Sequence, residues 1–338
     1  MDKLFLTIVN MSLIGAFVIA AICLARIPLK RAPKAISYCL WLVAGFRLLV
    51  PFSIESVFSL IPFQTQVIPV DLTQQPERYF ASEASGSASP ISTINGATSS
   101  NLTTLGLNTS SVLNLINVAS VIRLIGFVLL LAYEIASYCM LRRKVSNAAH
   151  IANNLYEVDK IRSPFVFGLL SPKIYVPTGL THQELLHIYS HESTHIRRHD
   201  YLVKMFGYFA LYLHWFNPLV WLAFRLMCAD MEMSCDESVL KEISSEDQKS
   251  YLLCLVAMAT DRRTITSPTA FGEGSVEGRI KNMLSSKKMS KVFVALSAMF
   301  ALTLSVGFAL NARADEGLPQ DGTSELSGNA TSETLVMS

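Results

Sequence analysis

The chain has 338 residues, of which 51% are hydrophobic and only 16% are charged, and its mean hydropathy is +0.38. Because soluble globular domains carry about 25% charged residues, this composition argues against a soluble protein and favours one integrated in a membrane. The net charge of +2 gives no reason to expect direct nucleic-acid binding. None of the six cysteines forms a C-x-x-C pair, so neither a disulfide framework nor a cysteine-rich zinc site is indicated.

Four apolar segments are candidates to cross a bilayer, which takes about 20 helical residues. They cover residues 4–25, 36–51, 112–131 (to 141 at the longest) and 292–310. The second is the weakest, because it is short and contains Arg47 near its end, where a cation can extend toward the interface. We therefore predict an α-helical polytopic protein of the lipid bilayer with four transmembrane helices.

Lysine and arginine residues predict the orientation, since they concentrate in cytoplasmic loops. They are frequent at 26–34, 142–144 and 287–291, whereas residues 52–111 contain Arg78 alone. We therefore expect a cell-membrane protein with both termini outside. Its predicted parts are two transmembrane helices with a short basic cytosolic loop (1–51), an extracellular Ser/Thr-rich loop (52–111), a third transmembrane helix (112–141), a cytosolic domain (142–291), a fourth transmembrane helix (292–312) and a short extracellular polar tail (313–338).

Residues 201–227 are apolar enough to imitate a fifth span. If they crossed the bilayer, the cations at 287–291 would lie outside, against the charge rule. Asn217 and Pro218 offer a different solution, because the residue before a proline is disfavoured in helical geometry. We predict two helices here that fold back on one another, within the cytosolic domain or at the membrane interface.

The segment PFVFGLLSPKIYVP, residues 164–177, predicts two short strands separated by a turn. Thr181 and Glu184 then form a T-x-x-E capping box, in which each side chain bonds a free amide at the start of a helix. The helix that follows is predicted to run to about His199.

This helix contains HESTH, in which His191 and His195 lie one turn apart and face the same way. Both imidazoles can therefore reach one metal ion, while Glu192 is offset by one position and can reach a metal-bound water. This is the HExxH pattern of zinc metallopeptidases, with two ligands and a general base. The expected chemistry is hydrolysis of a peptide bond by a water that zinc activates and Glu192 deprotonates.

A catalytic zinc takes three protein ligands and leaves one position open. Beyond the predicted break, Glu232 and Asp236 lie four apart on one face of a predicted helix. Glu232 is the predicted third ligand of a single Zn2+ per chain. Asp236 is predicted to accept the N–H of a ligand histidine and so to fix its tautomer.

Nearby residues have weaker claims. His214, just before the break, is a candidate to stabilise a tetrahedral oxyanion, or it simply caps buried backbone. Cys235 is expected in the core, because a thiolate would crowd a site that already has three ligands. Arg197 and Arg198 are expected to be solvated or paired with Asp200.

Four blocks in this order resemble the antirepressor-type membrane zinc peptidases: SPFVFGLLSPKIYVP, SHESTHIRRHD, HWFNPLVWLAFRLMCADMEMSCDESVL and FGEGSVEGRIKNML. The best-known members of that family are the β-lactam sensor-transducers of the BlaR/MecR kind. The resemblance extends over roughly residues 1–312 and is most specific in 163–239. It implies a cytosolic α+β zincin-like domain, a gluzincin, between the third and fourth transmembrane helices, with the ligands and base named above.

The resemblance also implies cleavage of a cytosolic protein, typically a winged-helix transcriptional repressor, or of the chain itself, and it leaves a homo-oligomer open. In such sensors self-cleavage falls before the last span, where residues 263–275 are predicted to form an exposed loop. One departure is that the β-lactam sensors continue into a large extracellular penicillin-binding domain, whereas a short tail stands here. We therefore expect no sensing by acylation, so that the stimulus comes from a partner protein, the 52–111 loop or the membrane.

Rival functions stay open at this point. A housekeeping zinc endopeptidase of the CAAX-processing or stress-protease type shares HExxH and a later E-x-x-x-D, although PFVFGLLSPKIYVP and HWFNP argue against it. A second rival is a non-catalytic receptor with a structural zinc. Glu192 argues against it, because a structural site needs no general base beside its ligands. A pore is less expected, because the spans contain almost no charge that could line an ion path. The exceptions are Arg123 and Glu134, which are expected to pair near the helix ends or with neighbouring helices.

Overall fold

A computed structural model describes residues 2–51, 54–56, 109–159, 161, 163–261, 276–285 and 290–312. The predicted extracellular loop lies almost entirely outside these residues, and the predicted tail and self-cleavage segment lie outside them. The helices are α1 (Asp2–Ala25), α2 (Lys34–Leu49), α3 (Thr109–Lys144), α4 (His182–Arg197), α5 (Asp200–Leu213), α6 (Pro218–Glu242), α7 (Ser245–Asp261), α8 (Val276–Ser285) and α9 (Lys291–Ala309), with a 3-10 turn at Pro28–Arg31. The strands are β1 (Ile54–Ser56), β2 (Ala149–Ala152), β3 (Leu155–Val158), β4 (Phe165–Phe167), β5 (Lys173–Pro177) and β6 (Leu310–Ala312).

Within the described residues, three helical segments are long and apolar enough to cross a membrane: Lys3–Ala25, Leu113–Lys144 and Lys291–Ala309. They correspond to the first, third and fourth predicted spans. The second predicted span forms α2, whose 16 residues rise about 24 Å, less than the ~30 Å of hydrocarbon. Leu40 and Trp41 of α2 are 1% and 2% exposed, so this helix directs much of its apolar surface at protein.

Helices α1, α6 and α9 of the same chain cover α2. A buried carboxylate holds three of these elements together: Asp230 of α6 is fully buried and accepts hydrogen bonds from Arg26 Nη2 at 2.7 Å and Trp41 Nε1 at 2.8 Å. A buried charge is tolerated only with such partners. The helix that carries the predicted third ligand is therefore fixed to the N-terminal helices.

The apolar stretch 201–227 forms two helices that fold back on one another, as the sequence predicts. Asn217 begins α6 with its side-chain oxygen accepting from the Leu219 amide at 3.0 Å, and Pro218 follows in the first turn. The helices α5 and α6 approach closely at Gly207, where an added Cβ would lie 3.0 Å from the Phe224 ring. The break thus returns the chain toward α4.

A four-stranded sheet lies beside these helices in the order β2-β3-β5-β4. Strand β5 pairs in parallel with β3 and antiparallel with β4, which is an edge strand. The predicted strands within 164–177 are β4 and β5, and β2 and β3 complete the sheet. Ile174 and Val176 of β5 pack with Ile188 of α4, so the inner face of the sheet supports the helix that carries HExxH.

The start of α4 has the predicted capping box. The Thr181 hydroxyl accepts from the Glu184 amide at 3.3 Å, and Glu184 Oε2 accepts from the Thr181 amide at 2.9 Å. Reciprocal bonds of this kind satisfy two amides that the helix itself cannot. The helix ends near His199, whose φ of 58° turns the chain sharply into α5.

Candidate metal centre

The two histidines of HESTH lie together on the buried face of α4. His191 and His195 are 7% and 9% exposed, and their Nε2 atoms are 3.1 Å apart. This is what helical i, i+4 spacing allows when both rings turn the same way. Two nitrogen donors are therefore held side by side.

Glu232 of α6 faces the same pair. Its Oε2 lies 3.4 Å from His191 Nε2, and its Oε1 lies 3.7 Å from His195 Nε2. Two imidazoles and one carboxylate that converge from two helices are the donor set of a catalytic zinc site with three protein ligands. These residues fit the ion that the sequence predicts.

The outer ring nitrogen of His191 is also engaged. His191 Nδ1 lies 2.8 Å from the Tyr251 hydroxyl of α7, which donates to Asp236 Oδ1 at 2.8 Å. Because that hydroxyl has only one proton, the histidine must donate to it through Nδ1–H, which leaves the Nε2 lone pair free for a metal. Asp236 Oδ1 is itself 3.4 Å from Nδ1, so the tyrosine stands where the sequence predicted a direct contact with the aspartate.

Arg279 of α8 neutralises the carboxylates on this side. It donates from Nε and Nη2 to the two oxygens of Asp236, each at 2.7 Å, and its Nη1 lies 3.4 Å from Glu232 Oε2. Burial would raise the pKa of Asp236, but the arginine's hydrogen bonds and charge lower it to about 2. Asp236 is therefore an ionised acceptor, and Arg279 links the third ligand to its support.

His195 is supported from the opposite direction. Its Nδ1 lies 2.7 Å from Asp200 Oδ2, and the other oxygen of Asp200 accepts from the Tyr38 hydroxyl of α2 at 3.0 Å. Because a carboxylate only accepts, His195 also carries its proton on Nδ1 and presents Nε2 to the metal position. Sequence reasoning named Asp200 as a partner for arginines, and Arg198 Nε does lie 3.5 Å from it, but its bond to His195 was missed.

Glu192 lines the same cavity as both histidines and Glu232. The described part of the chain provides its carboxylate with neither an ion pair nor a hydrogen bond. The cavity, of about 160 Å³, is bordered on another side by Phe165 and Val166 of β4. The predicted general base thus faces a space that can hold a water and part of a substrate.

Cys235 lies closer to the histidines than the sequence suggested. Its Sγ is fully buried, 3.7 Å from His191 Nδ1, and donates to the His191 carbonyl at 3.5 Å. One donor atom from each of His191, His195 and Cys235 falls within 4.8 Å of the others, a second set able to hold a metal. The thiol is on the Nδ1 side, and both Nε2 atoms face Glu232, so we favour the carboxylate as third ligand.

His214 is outside this group. It is fully buried and its Nε2 donates to the Leu48 carbonyl at 2.8 Å, at the end of α2. It does not border the cavity of the two ligand histidines. The contact corresponds to the backbone-capping alternative and places the ring away from the position of a substrate oxyanion.

Comparisons with known proteins point to a peptidase family. The family model described as BlaR1 peptidase M56 matches residues 6–283. The regulatory protein BlaR1 of Bacillus licheniformis is 29% identical over 153 residues, which is 43% of this chain and 26% of that protein. The methicillin resistance mecR1 protein of Staphylococcus aureus (strain Mu50) is 26% identical over 132 residues, 36% of this chain and 23% of that protein. The matches therefore span about a quarter of each relative's length.

Proposed function

The chain belongs to the BlaR1 peptidase M56 family, and from that premise we propose that it is a membrane zinc metalloendopeptidase of a sensor-transducer system. The observation that carries the proposal is the convergence of His191, His195 and Glu232, with the outer nitrogen of each histidine committed to a separate acceptor. Such a ligand set with fixed tautomers is suited to catalysis when it lies beside a carboxylate that has no partner among the described residues, as Glu192 does.

The three ligands would hold one Zn2+, which when bound supplies a Lewis acid and lowers the pKa of a bound water toward ~7. Glu192 accepts the proton of the attacking water and then donates it to the leaving amine. Asp236, through Tyr251, and Asp200 keep the two imidazoles in the tautomer that binds metal. Burial of the cluster excludes bulk water from these contacts.

The position of β4 in the cavity wall favours an extended peptide as substrate. Its wall includes β4, which has a pairing partner on one side only within the described sheet. An exposed strand edge binds extended chains by main-chain hydrogen bonds, whatever their sequence. A segment bound there would cross the cavity in front of Glu192.

We propose that the physiological substrate is a cytosolic transcriptional repressor of the winged-helix class, or the chain itself within 263–275. The proposal includes a cytosolic location for residues 142–291, between the third and fourth membrane helices, and both termini outside. The basic residues 142–144 in the last turn of α3 support this orientation. The stimulus would enter through the membrane-spanning helices or their extracellular connections.

The test compares detergent-purified wild type with Glu192→Gln for zinc content and for cleavage, both of the chain and of a winged-helix repressor encoded beside its gene. We expect one zinc per chain in both proteins and cleavage by wild type alone, because the amide keeps the ligands and cannot accept the proton. Glu242→Gln, which alters an exposed ion pair with Arg197, is the matched control and should cleave normally.

Wild type without zinc after metal-replete growth would overturn the ligand set. Equal behaviour of wild type and Glu192→Gln in every assay would favour the alternative, a receptor with a structural zinc. Cleavage of prenylated peptides with no action on the repressor would favour the housekeeping peptidase.

A further inference from the structure

The turn between β4 and β5 exposes two leucines. Leu170 is 95% exposed and Leu169 is 47% exposed. Gly168 has a φ of 113°, and a Cβ added there would lie 2.6 Å from the Ser171 carbonyl oxygen, so the turn is tight and depends on glycine. We call residues 168–171 the leucine turn. Its backbone geometry holds large apolar side chains away from the protein.

The leucine turn adjoins the C-terminal part of α3. At the far end of β4, Phe165 is opposite Tyr175, and Tyr175 packs in one cluster with Val145, just beyond α3. At the turn end of β4, Phe167 stacks on Tyr138 of α3 with ring centroids 4.8 Å apart. The turn end of β4 therefore contacts α3 at Tyr138, seven residues before Val145.

Helix α3 contains a candidate span of 32 residues, and only 6% of its apolar window is buried in the protein. At 1.5 Å per residue it rises about 48 Å, which exceeds the ~30 Å of hydrocarbon and reaches through an interfacial layer. Tyr138 lies four to six residues before the basic end of the helix at 142–144, about 6–9 Å. Aromatic residues favour this depth, where lipid headgroups meet acyl chains.

We propose that the leucine turn is a membrane anchor, which inserts Leu169 and Leu170 into the headgroup–acyl boundary of the same bilayer that α3 crosses. Lys173, opposite Phe167 at the base of the turn, is partly exposed. Its ammonium lies 4.5 Å from the centre of the Tyr156 ring and adds a positive charge beside the turn that would favour anionic headgroups. Because β4 also borders the cavity, the anchor fixes one wall of the cleft relative to the membrane surface. The proposal depends on α3 spanning the bilayer and is independent of peptidase activity.

The test uses the full chain with Leu170→Trp, reconstituted in vesicles of zwitterionic and anionic phospholipid. Emission of the added tryptophan is obtained by subtracting the parent protein, which has three tryptophans of its own. We expect brominated lipids to quench this emission strongly and aqueous iodide to quench it weakly. The emission maximum should lie at a shorter wavelength than that of tryptophan in water. Equal zinc content and thermal midpoint of variant and parent confirm that the fold is kept.

Quenching by iodide without quenching by brominated lipid would overturn the proposal, because the turn would then be in water. Protection from both quenchers would also overturn it and would place a protein, such as a second copy of the chain, over the turn. Leu169→Ser combined with Leu170→Ser supplies a second readout. We expect cleavage to be unchanged in detergent and reduced in vesicles, whereas equal rates in both media would contradict a role for the anchor in placing the cleft.

Discussion

His191 and His195 are both proposed metal ligands, yet they are held by different parts of the chain. His191 donates to Tyr251 of α7, which donates to Asp236 of α6, and Asp236 accepts from Arg279 of α8. His195 is held by Asp200 at the start of α5, and Asp200 by a tyrosine of α2, 162 residues earlier. One ligand depends on helices that follow it, and the other depends on a helix near the N-terminus.

The two supports also differ in electrostatics. On the His191 side the buried guanidinium of Arg279 lies between two buried carboxylates, Asp236 and Glu232. On the His195 side Asp200 is 2% exposed and is met by neutral Tyr38 and by Arg198 at 3.5 Å. We therefore expect loss of the Arg279 charge to unfold the site, and loss of the Asp200 charge chiefly to weaken metal binding.

Replacement of Arg279 should have the largest effect. In Arg279→Met, two buried carboxylates lose their cation, and breaking a buried pair in this way costs about 3–5 kcal/mol of stability. We expect a large fall in the thermal midpoint of the detergent-solubilised protein together with loss of zinc. Arg279→Lys keeps the charge without the two-point contact, so its thermal midpoint should lie between those of wild type and Arg279→Met. A midpoint equal to wild type in Arg279→Met would refute a stabilising role for the arginine.

Asp200→Asn tests the other side and should rank second. The amide can still accept from His195, but it lacks the charge that favours the metal-binding tautomer, so we expect zinc affinity to fall about 10- to 100-fold. Competition with a chelator of known affinity measures this. Asp247→Asn, which alters an exposed cap of α7, should leave the affinity unchanged; a similar fall in both variants would mean that the effect is not local.

Tyr251→Phe should weaken zinc binding by less, about tenfold. The hydroxyl that separates His191 from Asp236 is lost, but the aspartate is already 3.4 Å from Nδ1 and can take over part of its function. The same chelator competition applies, with Tyr212→Phe, which loses a bond to Glu134 away from the site, as control. Unchanged affinity would show that Asp236 suffices alone.

Tyr38→Phe is expected to have the smallest effect, about 1 kcal/mol of stability, because one hydrogen bond to Asp200 is removed and the ring remains. Chemical unfolding of wild type and variant gives the difference. If Tyr38→Phe lowered zinc affinity as much as Asp200→Asn, the tyrosine would be setting the orientation of the carboxylate, and the two sides of the site would be more alike than their contacts suggest.

The grouping of the proposed ligands could be predicted from the sequence far better than the contacts that support them. His191, His195 and Glu192 share one helical turn, so their relation follows from 3.6-residue periodicity alone. Tyr251 and Arg279 meet Asp236 across 15 and 43 residues, and nothing periodic marks a tyrosine or an arginine for that contact. The block around Arg279 was recognised only as part of the family resemblance.

The membrane helices show a similar limit. Hydropathy located α1, α3 and α9 as span-length helices, because lipid-facing sequence is apolar all round. It could not separate α2 from them, since a helix packed against α6 and α9 is also apolar. The return of the chain between α5 and α6 was predictable because Pro218 gives a local signal.

The contacts of Asp230 bear on how the protein is made. Its partners Arg26 and Trp41 precede it by 204 and 189 residues, so α6 can be seated only after its own translation, long after the first two helices have left the ribosome. Until then Glu232, two positions further on, has no fixed place beside the histidines. A nascent chain that has not yet emerged beyond α6 therefore cannot assemble the proposed metal centre. A fragment that begins after residue 142 would keep the carboxylate of Asp230 without either donor.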